Sequence, residues 1–349
     1  MISIVIPHYN GSILLDCLSL LFQRTRYSPF EVIVVDDGSS DGSVEEAKAR
    51  FPEIKVLRNA RNLGFAATCN RGLDAAEGRY VVLLNNDVEV QPGWLSELVR
   101  FADVHEEIGA CQPKILSVRD RTRFDYSGAA GGLMDVFGYP FCLGRVFEEL
   151  EEDRGQYDAP RAIFWASGTA MLLRKEALKV TGLLDERFFM HVEEIDLCWR
   201  MHLAGYAVWS VPSSVVTHHS GWTLSPESFL KMFLNHRNTL MTLLKNYSLR
   251  NVVRIFPLRL GLECASMLAF SAKLDVKRAA PNLWGVLWVL GHLGEIWSAR
   301  RTVQRMRRVS DEEVMARMFR GSIALRHFWP SKASGSLVIG DWGLGIGES

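Results

Sequence analysis

The sequence predicts an α/β protein whose amino-terminal half forms a doubly wound, mostly parallel sheet with flanking helices. Short apolar runs alternate with helical stretches along this half, an order typical of a right-handed parallel sheet. The runs are continuously apolar, as expected for strands that are covered on both faces. With 349 residues and 48% hydrophobic composition, the chain is long enough to bury a full core and carry additional elements.

The predicted elements follow in a regular order. Strands are predicted at residues 2–6, 31–35, 54–57 and 80–84, and helices at residues 12–23, from about residue 43 to 50, at 66–76 and after Pro92. In the second half we predict short strands at 207–211 and 215–217, a helix at about 226–246, and two apolar helices at 255–272 and 283–297.

The fourth predicted strand stops abruptly at Asn85, Asn86 and Asp87. Ligands of open α/β sheets gather outside the carboxyl ends of the strands, so Asp87 is placed for chemistry. A hard divalent cation such as Mg²⁺ or Mn²⁺ combines protein carboxylates with substrate phosphate oxygens, which makes Asp87 a candidate metal ligand. The alternative is that these residues turn the chain and cap the next helix.

The two preceding strand ends are also polar. Asp36 and Asp37 follow the second strand, and a helix cap further on needs only Asp41 or Ser43, which leaves a carboxylate for a base or a ribose. Tyr9 follows the first strand and either stacks on a ring or packs in the protein. A Gly-x-Gly-x-x-Gly motif and a Walker-type lysine loop are both missing there, which argues against dinucleotide dehydrogenases and nucleotide hydrolases.

Acidic residues also cluster in the second half, where Glu193, Glu194 and Asp196 open a predicted helix. One interpretation is structural, because acids in a first turn are favoured by the helix dipole and Asp196 can pair with Arg200. The other is catalytic, since a carboxylate here can serve as a general base.

Five segments in this order resemble the family 2 glycosyltransferases of the GT-A fold, especially their bacterial rhamnosyltransferase-like branch. The matching segments are residues 4–11, 34–43, 62–66, 84–87 and 188–198. The resemblance covers about residues 1–247, which we predict to be the catalytic domain. A helical, basic extension at 248–330 and a flexible tail at 331–349, rich in Gly and Ser, are expected to follow.

The resemblance implies a nucleotide diphospho-sugar donor. By position, the residues expected around the donor are Pro7, Tyr9, Asn10, Asp36, Asn62, Asn70, Asn86 and Asp87. Asp87 would end a variant of the family's metal-binding Asp-x-Asp motif, in which Asn85 replaces the first acid.

The resemblance also implies an inverting transfer, with a base that deprotonates the acceptor hydroxyl. The family usually has Glu-Asp-x-Asp in this segment with Asp as the base, so the base here would be Glu194, with Glu193 as the alternative and Asp196 in support.

Two further groups take positions from the resemblance, and Arg237 and residues 119–160 are candidates on their residue type and composition. Trp165, Ser167 and Gly168 would lie beside the donor sugar and the acceptor, although a Trp there is also a common core residue. His218 would complete the metal shell with Asp87. Arg237 would contact the diphosphate, or else be an ordinary exposed arginine. Residues 119–160 would form an excursion over the acceptor side.

The charge is unevenly distributed. The net charge of the chain is zero, yet residues 250–308 contain eleven Lys and Arg against three acids, an excess of +8. Together with the Leu- and Trp-rich helices, this indicates interfacial helices on an anionic membrane surface. The alternative is a helical hairpin packed on the catalytic domain or in a homodimer. Neither helix has about 20 clean apolar residues, so we expect no bilayer span, and no recognised motif indicates nucleic acid.

The expected location is cytoplasmic, peripheral on the inner face of the cell membrane. Six cysteines without paired metal spacing and the lack of a signal peptide favour a reducing compartment. The expected function is transfer of a sugar to a hydroxyl of a lipid-linked saccharide in surface polysaccharide biosynthesis. Alternatives are a nucleotidyltransferase and a non-catalytic, membrane-associated scaffold.

Overall fold

The computed structural model describes residues 1–146, 149–219 and 228–328. The predicted tail at 331–349 lies outside the described residues. The strands are β1 Ile2–His8, β2 Phe30–Asp36, β3 Lys55–Arg58, β4 Tyr80–Leu84, β5 Val88–Val90, β6 Ile108–Ser117, β7 Gly132–Met134, β8 Pro140–Cys142, β9 Arg145–Val146, β10 Glu149–Leu150, β11 Arg161–Ala162, β12 Ala170–Arg174 and β13 Ala207–His218.

The helices surround the main sheet and continue beyond it. They are α1 Ile13–Arg24, α2 Ser43–Arg50, α3 Phe65–Ala75, α4 Trp94–Val104, α5 Lys175–Thr181, α6 Glu193–Leu203, α7 Phe229–Asn246, α8 Leu249–Ala272, α9 Val276–Gly291, α10 Leu293–Met306, α11 Asp311–Met315 and α12 Ile323–Phe328. A 3₁₀ helix, Glu186–Phe188, precedes α6.

The main sheet has the order β11-β13-β6-β12-β4-β1-β2-β3, and β5 pairs with β13. The strands β4, β1, β2 and β3 are parallel to one another, as predicted, whereas β12 runs antiparallel between β4 and β6. The apolar runs of β1 and β4 are buried throughout because helices cover both faces of the sheet. The predicted α/β fold with a helical carboxyl-terminal region is confirmed.

Within the segment 119–160, the strands β7 to β10 form a small antiparallel sheet of order β10-β9-β8-β7. It is joined to the carboxyl-terminal helices, because the backbone N–H of Val136 donates to Phe319 O at 3.0 Å and Asp135 Oδ2 accepts from the Ile323 N–H at 2.9 Å.

The predicted boundaries were wrong in two places. The strands expected at 207–211 and 215–217 are one strand, β13, whose register against β6 shifts between Val211 and Val215. Pro212 lies within this shift, where a residue without an N–H interrupts the ladder. The helix expected at 283–297 is two helices, broken at His292, whose ring stacks on Trp288 at 4.0 Å between centroids.

The extension packs on the last helix of the predicted catalytic domain. Helix α9 lies against α7, and its Gly285 faces the backbone of α7 so closely that an added Cβ would be 3.0 Å from the His236 Cβ. Among the described helices, none is long and apolar enough to cross a membrane.

Helices α6 and α7 are joined by a buried ionic cluster around Asp196. Its carboxylate accepts from Arg200 Nε at 2.9 Å, from Lys245 Nζ at 2.9 Å and from Asn246 Nδ2 at 2.9 Å, and Lys245 also pairs with Asp185. Asp196 is fully buried. The predicted pair with Arg200 is therefore present, but the structure places Asp196 in the support of α6 and not at a ligand surface.

We expect Asp196→Ala to lower the free energy of unfolding by about 3 to 5 kcal/mol, because it leaves two buried cations without their shared partner. Urea denaturation measures the change. Glu97→Ala is the control, because Glu97 pairs with Arg100, whose side chain is 73% exposed, and should cost about 1 kcal/mol or less. A similar loss in both variants would contradict the structural role of the cluster.

Candidate active site

His8, at the carboxyl end of β1, contacts both the start of α2 and the segment after β4, and sequence reasoning did not single it out. Its Nε2 lies 2.8 Å from Ser43 Oγ, and its Nδ1 lies 2.8 Å from Asn86 Nδ2. Burial lowers the pKa of His8, although Asp36 and Asp41 oppose the effect. A neutral ring that accepts from Asn86 and donates to Ser43 satisfies both contacts.

The predicted donor-binding residues at the ends of β1 and β2 lie side by side. Asn10 Oδ1 accepts from the Ser40 N–H at 2.9 Å, and Asp36 Oδ1 accepts from the Ser39 N–H at 2.8 Å. Pro7 is buried within β1, whereas the Tyr9 side chain is 51% exposed at the sheet edge. The edge therefore combines a rigid polar backbone with a free aromatic ring, which can stack on a base.

Asp37 has a structural role distinct from that of its neighbour Asp36. Its carboxylate accepts from Asn59 Nδ2 at 2.8 Å and from the N–H groups of Leu63 at 2.8 Å and Gly64 at 3.0 Å. These bonds hold the loop before α3 and keep Asn62 exposed beside the strand ends.

The predicted metal ligands Asp87 and His218 lie together. His218 Nε2 is 3.2 Å from Asp87 Oδ1, because β5, which follows Asp87, pairs with the end of β13. On the other side of the ring, His218 Nδ1 is 2.8 Å from Asp125 Oδ1. Asp125 was not among the predicted residues, since its position comes from the loop after β6.

This arrangement fits a divalent cation. Asp87 Oδ1 is buried, and within residues 1–146, 149–219 and 228–328 it has no hydrogen-bond partner despite its closeness to His218. Burial disfavours a charged His218, but Asp125 and Asp87 outweigh burial and raise its pKa to about 10. Two carboxylates around one imidazole attract positive charge, whether a proton or a metal ion. The described residues contain no complete group of three His, Cys, Asp or Glu ligands, so substrate oxygens would have to complete the shell.

The two candidate bases at the start of α6 differ in access. Glu193 is 3% exposed, whereas Glu194 is half-buried. Burial raises the pKa of both carboxyls, that of Glu194 to about 7. Among the described residues, Oε2 of each has no hydrogen-bond partner. Glu194 is thus the more accessible base, with a pKa suited to proton transfer near neutral pH.

Residues 167–169 link Glu194 to the end of β4. An added Cβ on Gly168 would lie 3.9 Å from Glu194 Cβ, and Thr169 O accepts from the Asn85 N–H at 2.9 Å. Ser167 Oγ donates to Ser127 O at 3.1 Å and is buried. The structure therefore brings the start of α6 and the Asn85–Asp87 segment to the same side of the sheet.

The loop before Glu193 has a strained backbone that α7 holds in place. Phe189, His191 and Val192 have φ angles of 64°, 67° and 75°, which residues other than glycine rarely adopt. Asn238 Nδ2 donates to the carbonyls of Phe188, Met190 and His191 at 2.7 to 3.1 Å. The loop that positions the base is thus clamped by Asn238, another residue the sequence did not reveal.

Arg237 shares this clamp. Its Nη2 donates to the carbonyls of Arg187 at 2.9 Å and Phe188 at 2.8 Å, and its guanidinium lies 4.7 Å from the Trp288 ring centroid. Burial lowers its pKa to about 10. Arg237 is therefore not an ordinary exposed arginine, because its Nε and Nη2 are engaged in contacts within the protein.

Two further predicted residues have packing roles in the structure. Asn70 is buried, and its Nδ2 donates to Leu184 O at 2.9 Å and to Glu186 Oε1 at 3.0 Å, while its Oδ1 accepts from the Leu184 N–H at 3.0 Å. Trp165 is 5% exposed and its indole N–H donates to Leu133 O at 2.8 Å. In both cases the side chain's polar groups are already used, so the structure favours support over ligand contact.

Comparison with known proteins decides the family. Residues 3–182, more than half of the chain, match the family described as Glycosyl transferase family 2. The chain belongs to this family. A relative in Mycobacterium tuberculosis strain H37Rv, named N-acetylglucosaminyl-diphospho-decaprenol L-rhamnosyltransferase, is 30% identical over 69% of this chain and 81% of its own length.

A second relative and one solved structure are also similar to this chain. The O-antigen biosynthesis protein RfbC of Myxococcus xanthus is 29% identical over 62% of this chain and 17% of its own length. The crystal structure of GalNAc-T7 with UDP, GalNAc and Mn²⁺ has a TM-score of 0.57 and 17% identity, covering 84% of this chain and 57% of that one. The predicted GT-A fold and the rhamnosyltransferase-like resemblance are confirmed, and the protein is a glycosyltransferase.

We expect Asn238→Asp to lower the free energy of unfolding by about 3 kcal/mol, because the new carboxylate oxygen faces three carbonyls without a donor. Hydrogen exchange at residues 187–192 should accelerate. Asn235→Ala, an exposed position on the same helix, is the control and should change neither. Unchanged exchange in Asn238→Asp would remove Asn238 from the support of this loop.

Proposed function

We propose that the protein transfers a sugar, with inversion, from a nucleotide diphospho-sugar to a hydroxyl of a lipid-linked saccharide. The observation that carries the proposal is the half-buried Glu194, whose Oε2 has no hydrogen-bond partner among the described residues and which is linked through Gly168 and Thr169 to the Asn85–Asp87 segment. The relative whose name contains a diphospho-decaprenol acceptor supports the acceptor class.

The donor would lie along the carboxyl ends of β1, β2 and β4. Tyr9 offers a free aromatic face for the base, and Asp36, buried beside Ser39, offers a carboxylate oxygen to the ribose or the base. Asn10 and Asn62 would border the nucleotide, and Asn86 and Asp87 would lie nearest the diphosphate.

Asp87 and His218 would hold Mg²⁺ or Mn²⁺, with Asp125 orienting the imidazole through Nδ1. When bound, the cation supplies positive charge that stabilises the departing diphosphate. The cation would also neutralise the charge of the buried Asp87 Oδ1, which lies 3.2 Å from His218 Nε2.

The reaction would be a single displacement. Glu194 accepts the proton of the acceptor hydroxyl while the acceptor oxygen forms a bond to the anomeric carbon. On the opposite face, the bond from that carbon to the diphosphate oxygen breaks, and its electron pair leaves with the diphosphate. Attack from the face opposite the leaving group inverts the anomeric centre. Burial raises the pKa of Glu194, and burial together with the neighbouring Glu194 charge raises that of Glu193, so Glu193 would remain neutral while Glu194 acts as the base.

We expect Glu194→Gln to bind the donor as wild type but to lose transfer by about 10²- to 10⁴-fold, because an amide cannot accept the proton. For wild type, kcat/KM should rise with pH until about 7, since the base is protonated below its raised pKa. Transfer is measured as released nucleoside diphosphate and donor binding by calorimetry.

Glu193→Gln is the matched control. It should keep most of the activity and leave the pH profile near that of wild type, because burial raises the pKa of Glu194 and the neutral Glu193 adds no charge beside it. Loss of transfer in Glu193→Gln with normal transfer in Glu194→Gln would assign the base to Glu193. Normal transfer in both would exclude this helix start from the chemistry.

We expect Asp125→Asn to weaken Mn²⁺ binding by about 10- to 100-fold, because the imidazole loses the carboxylate that orients it. Calorimetry with Mn²⁺ and a panel of nucleoside diphosphates provides a readout independent of turnover. It also identifies the nucleobase of the donor. Asp120→Asn, an exposed carboxylate of the same segment, is the control. Equal affinity in both variants would contradict the role of Asp125.

The acceptor class indicates where the protein works. A lipid-linked saccharide is confined to a bilayer, so we infer peripheral attachment to the cytoplasmic face of the cell membrane and a role in surface polysaccharide biosynthesis. A nucleotidyltransferase receives no support from the family assignment. Failure to bind any nucleotide in the panel above would favour the non-catalytic scaffold.

A further inference from the structure

In its second part, residues 257–272, helix α8 has its two charged residues inside and large apolar residues outside. Arg259 and Glu263 are each 1% exposed and pair with each other, with Arg259 Nη2 2.6 Å from Glu263 Oε1. Glu263 Oε2 also contacts His236 Nδ1 of α7 at 2.9 Å. The outward side instead presents Leu258 and Leu268, which are 60% and 67% exposed. This polarity is opposite to that of a helix that faces water.

Helix α9 continues the pattern. Residues 279–294 contain no Asp, Glu, Lys or Arg. Gly285 and the buried Val289 face the protein, while the outward side chains recur at helical spacing. These outward side chains are Leu283, Trp284, Leu287 and Leu290, with exposures of 42%, 58%, 48% and 47%. Single exposed leucines are ordinary, but a stripe of this kind marks an interaction surface.

The connection between the two helices is both apolar and basic. Leu274 is 87% exposed and Val276 is 69% exposed. Lys273, Lys277 and Arg278 are exposed around them. Asp275 is the only acid of residues 249–291 besides the buried Glu263, and it lies 3.7 Å from Arg278. The tip therefore keeps an excess of positive charge next to two protruding apolar side chains.

We propose that this hairpin face docks on an anionic lipid bilayer, with the tip inserted among the headgroups. We define the hairpin face by its exposed apolar side chains, which are Leu258, Leu268, Leu274, Val276, Leu283, Trp284, Leu287 and Leu290. Apolar side chains partition into the interface between headgroups and acyl chains, and the cations at the tip pair with lipid phosphates. A second copy of this chain would bring the same cations together with no free acid of residues 249–291 to pair with them.

This inference deepens the proposed transfer to a lipid-linked acceptor, on which its biological purpose rests. Helix α9 packs on α7, and α7 clamps the loop that leads to Glu194. A bilayer held by the hairpin face would therefore have a fixed relation to the catalytic helix.

The test is flotation of the purified chain with phosphatidylcholine vesicles and with vesicles that also contain phosphatidylglycerol. The assay contains neither donor nor acceptor, so its outcome is independent of transfer. Wild type should bind the anionic vesicles more tightly, and salt should weaken binding. The double variant Lys273→Ser with Lys277→Ser should weaken binding to anionic vesicles by roughly 30-fold and leave the weak binding to neutral vesicles unchanged.

The double variant Leu274→Ser with Trp284→Ser should weaken binding to both kinds of vesicle by more than about tenfold. Val104→Ser, at an exposed apolar residue of α4 with 74% exposure, is the matched control and should bind as wild type. Because every substitution is at an exposed side chain, thermal unfolding should be unchanged, which separates lost binding from lost folding.

Two results would overturn the inference. The first is wild-type binding by the Leu274→Ser and Trp284→Ser double variant. The second is a wild-type protein that does not bind vesicles and that sediments as a dimer without lipid, while the same double variant sediments as a monomer. This result would assign the hairpin face to a second copy of the chain. Vesicle binding with no glycosyl transfer would leave the docking surface intact and reject the proposed reaction alone.

Discussion

The parallel pairing of β1 with β2 and β4 is the constraint on which the rest of the structure depends. It aligns the carboxyl ends of three buried strands, so that His8 lies opposite Asp36 and the Asn85–Asp87 segment follows on the other side. Each strand delivers one polar tip to the same edge of the sheet. The single ring of His8 then joins Ser43, at the start of α2, to Asn86, which follows β4. This register provides the polar edge of the proposed donor site without a glycine-rich phosphate loop.

Helix α7 connects the two halves of the molecule. On one side, Asn238 and Arg237 hold the carbonyls of the strained loop before α6, and Lys245 closes the ionic cluster on Asp196. On the other side, α7 receives Gly285 of α9. The strain at Phe189, His191 and Val192 persists because several hydrogen bonds from α7 stabilise it. The carboxylates that open α6 are thereby presented by a helix that belongs to the core.

Buried charge has opposite consequences in different parts of the protein. Glu193 and Glu194 lack a neutralising cation among the described residues, and burial raises the pKa of both, which suits a base. Arg259 and Glu263 neutralise each other, and the pKa of Glu263 falls to about 2 despite its burial. Pairing these two charges inward removes them from the surface of α8. The outward side of the hairpin is left apolar as a result, a pattern that the charge count of this segment alone conceals.

The sequence by itself determined the parallel α/β half, the polar strand ends at Asp36 and Asp87, and the acidic start of α6, because periodicity and abrupt apolar-to-polar boundaries are local signals. It also paired Asp87 with His218 through the family resemblance. Only the tertiary structure decided which polar side chains remain available. Asn70, Trp165, Asp196 and Arg237 are used in contacts with residues distant in the chain, whereas Asp125, His8 and Asn238 reach the site through such contacts. Side-chain hydrogen bonds between distant segments leave no periodic trace in the sequence, so the supporting residues of the site required the fold to be known.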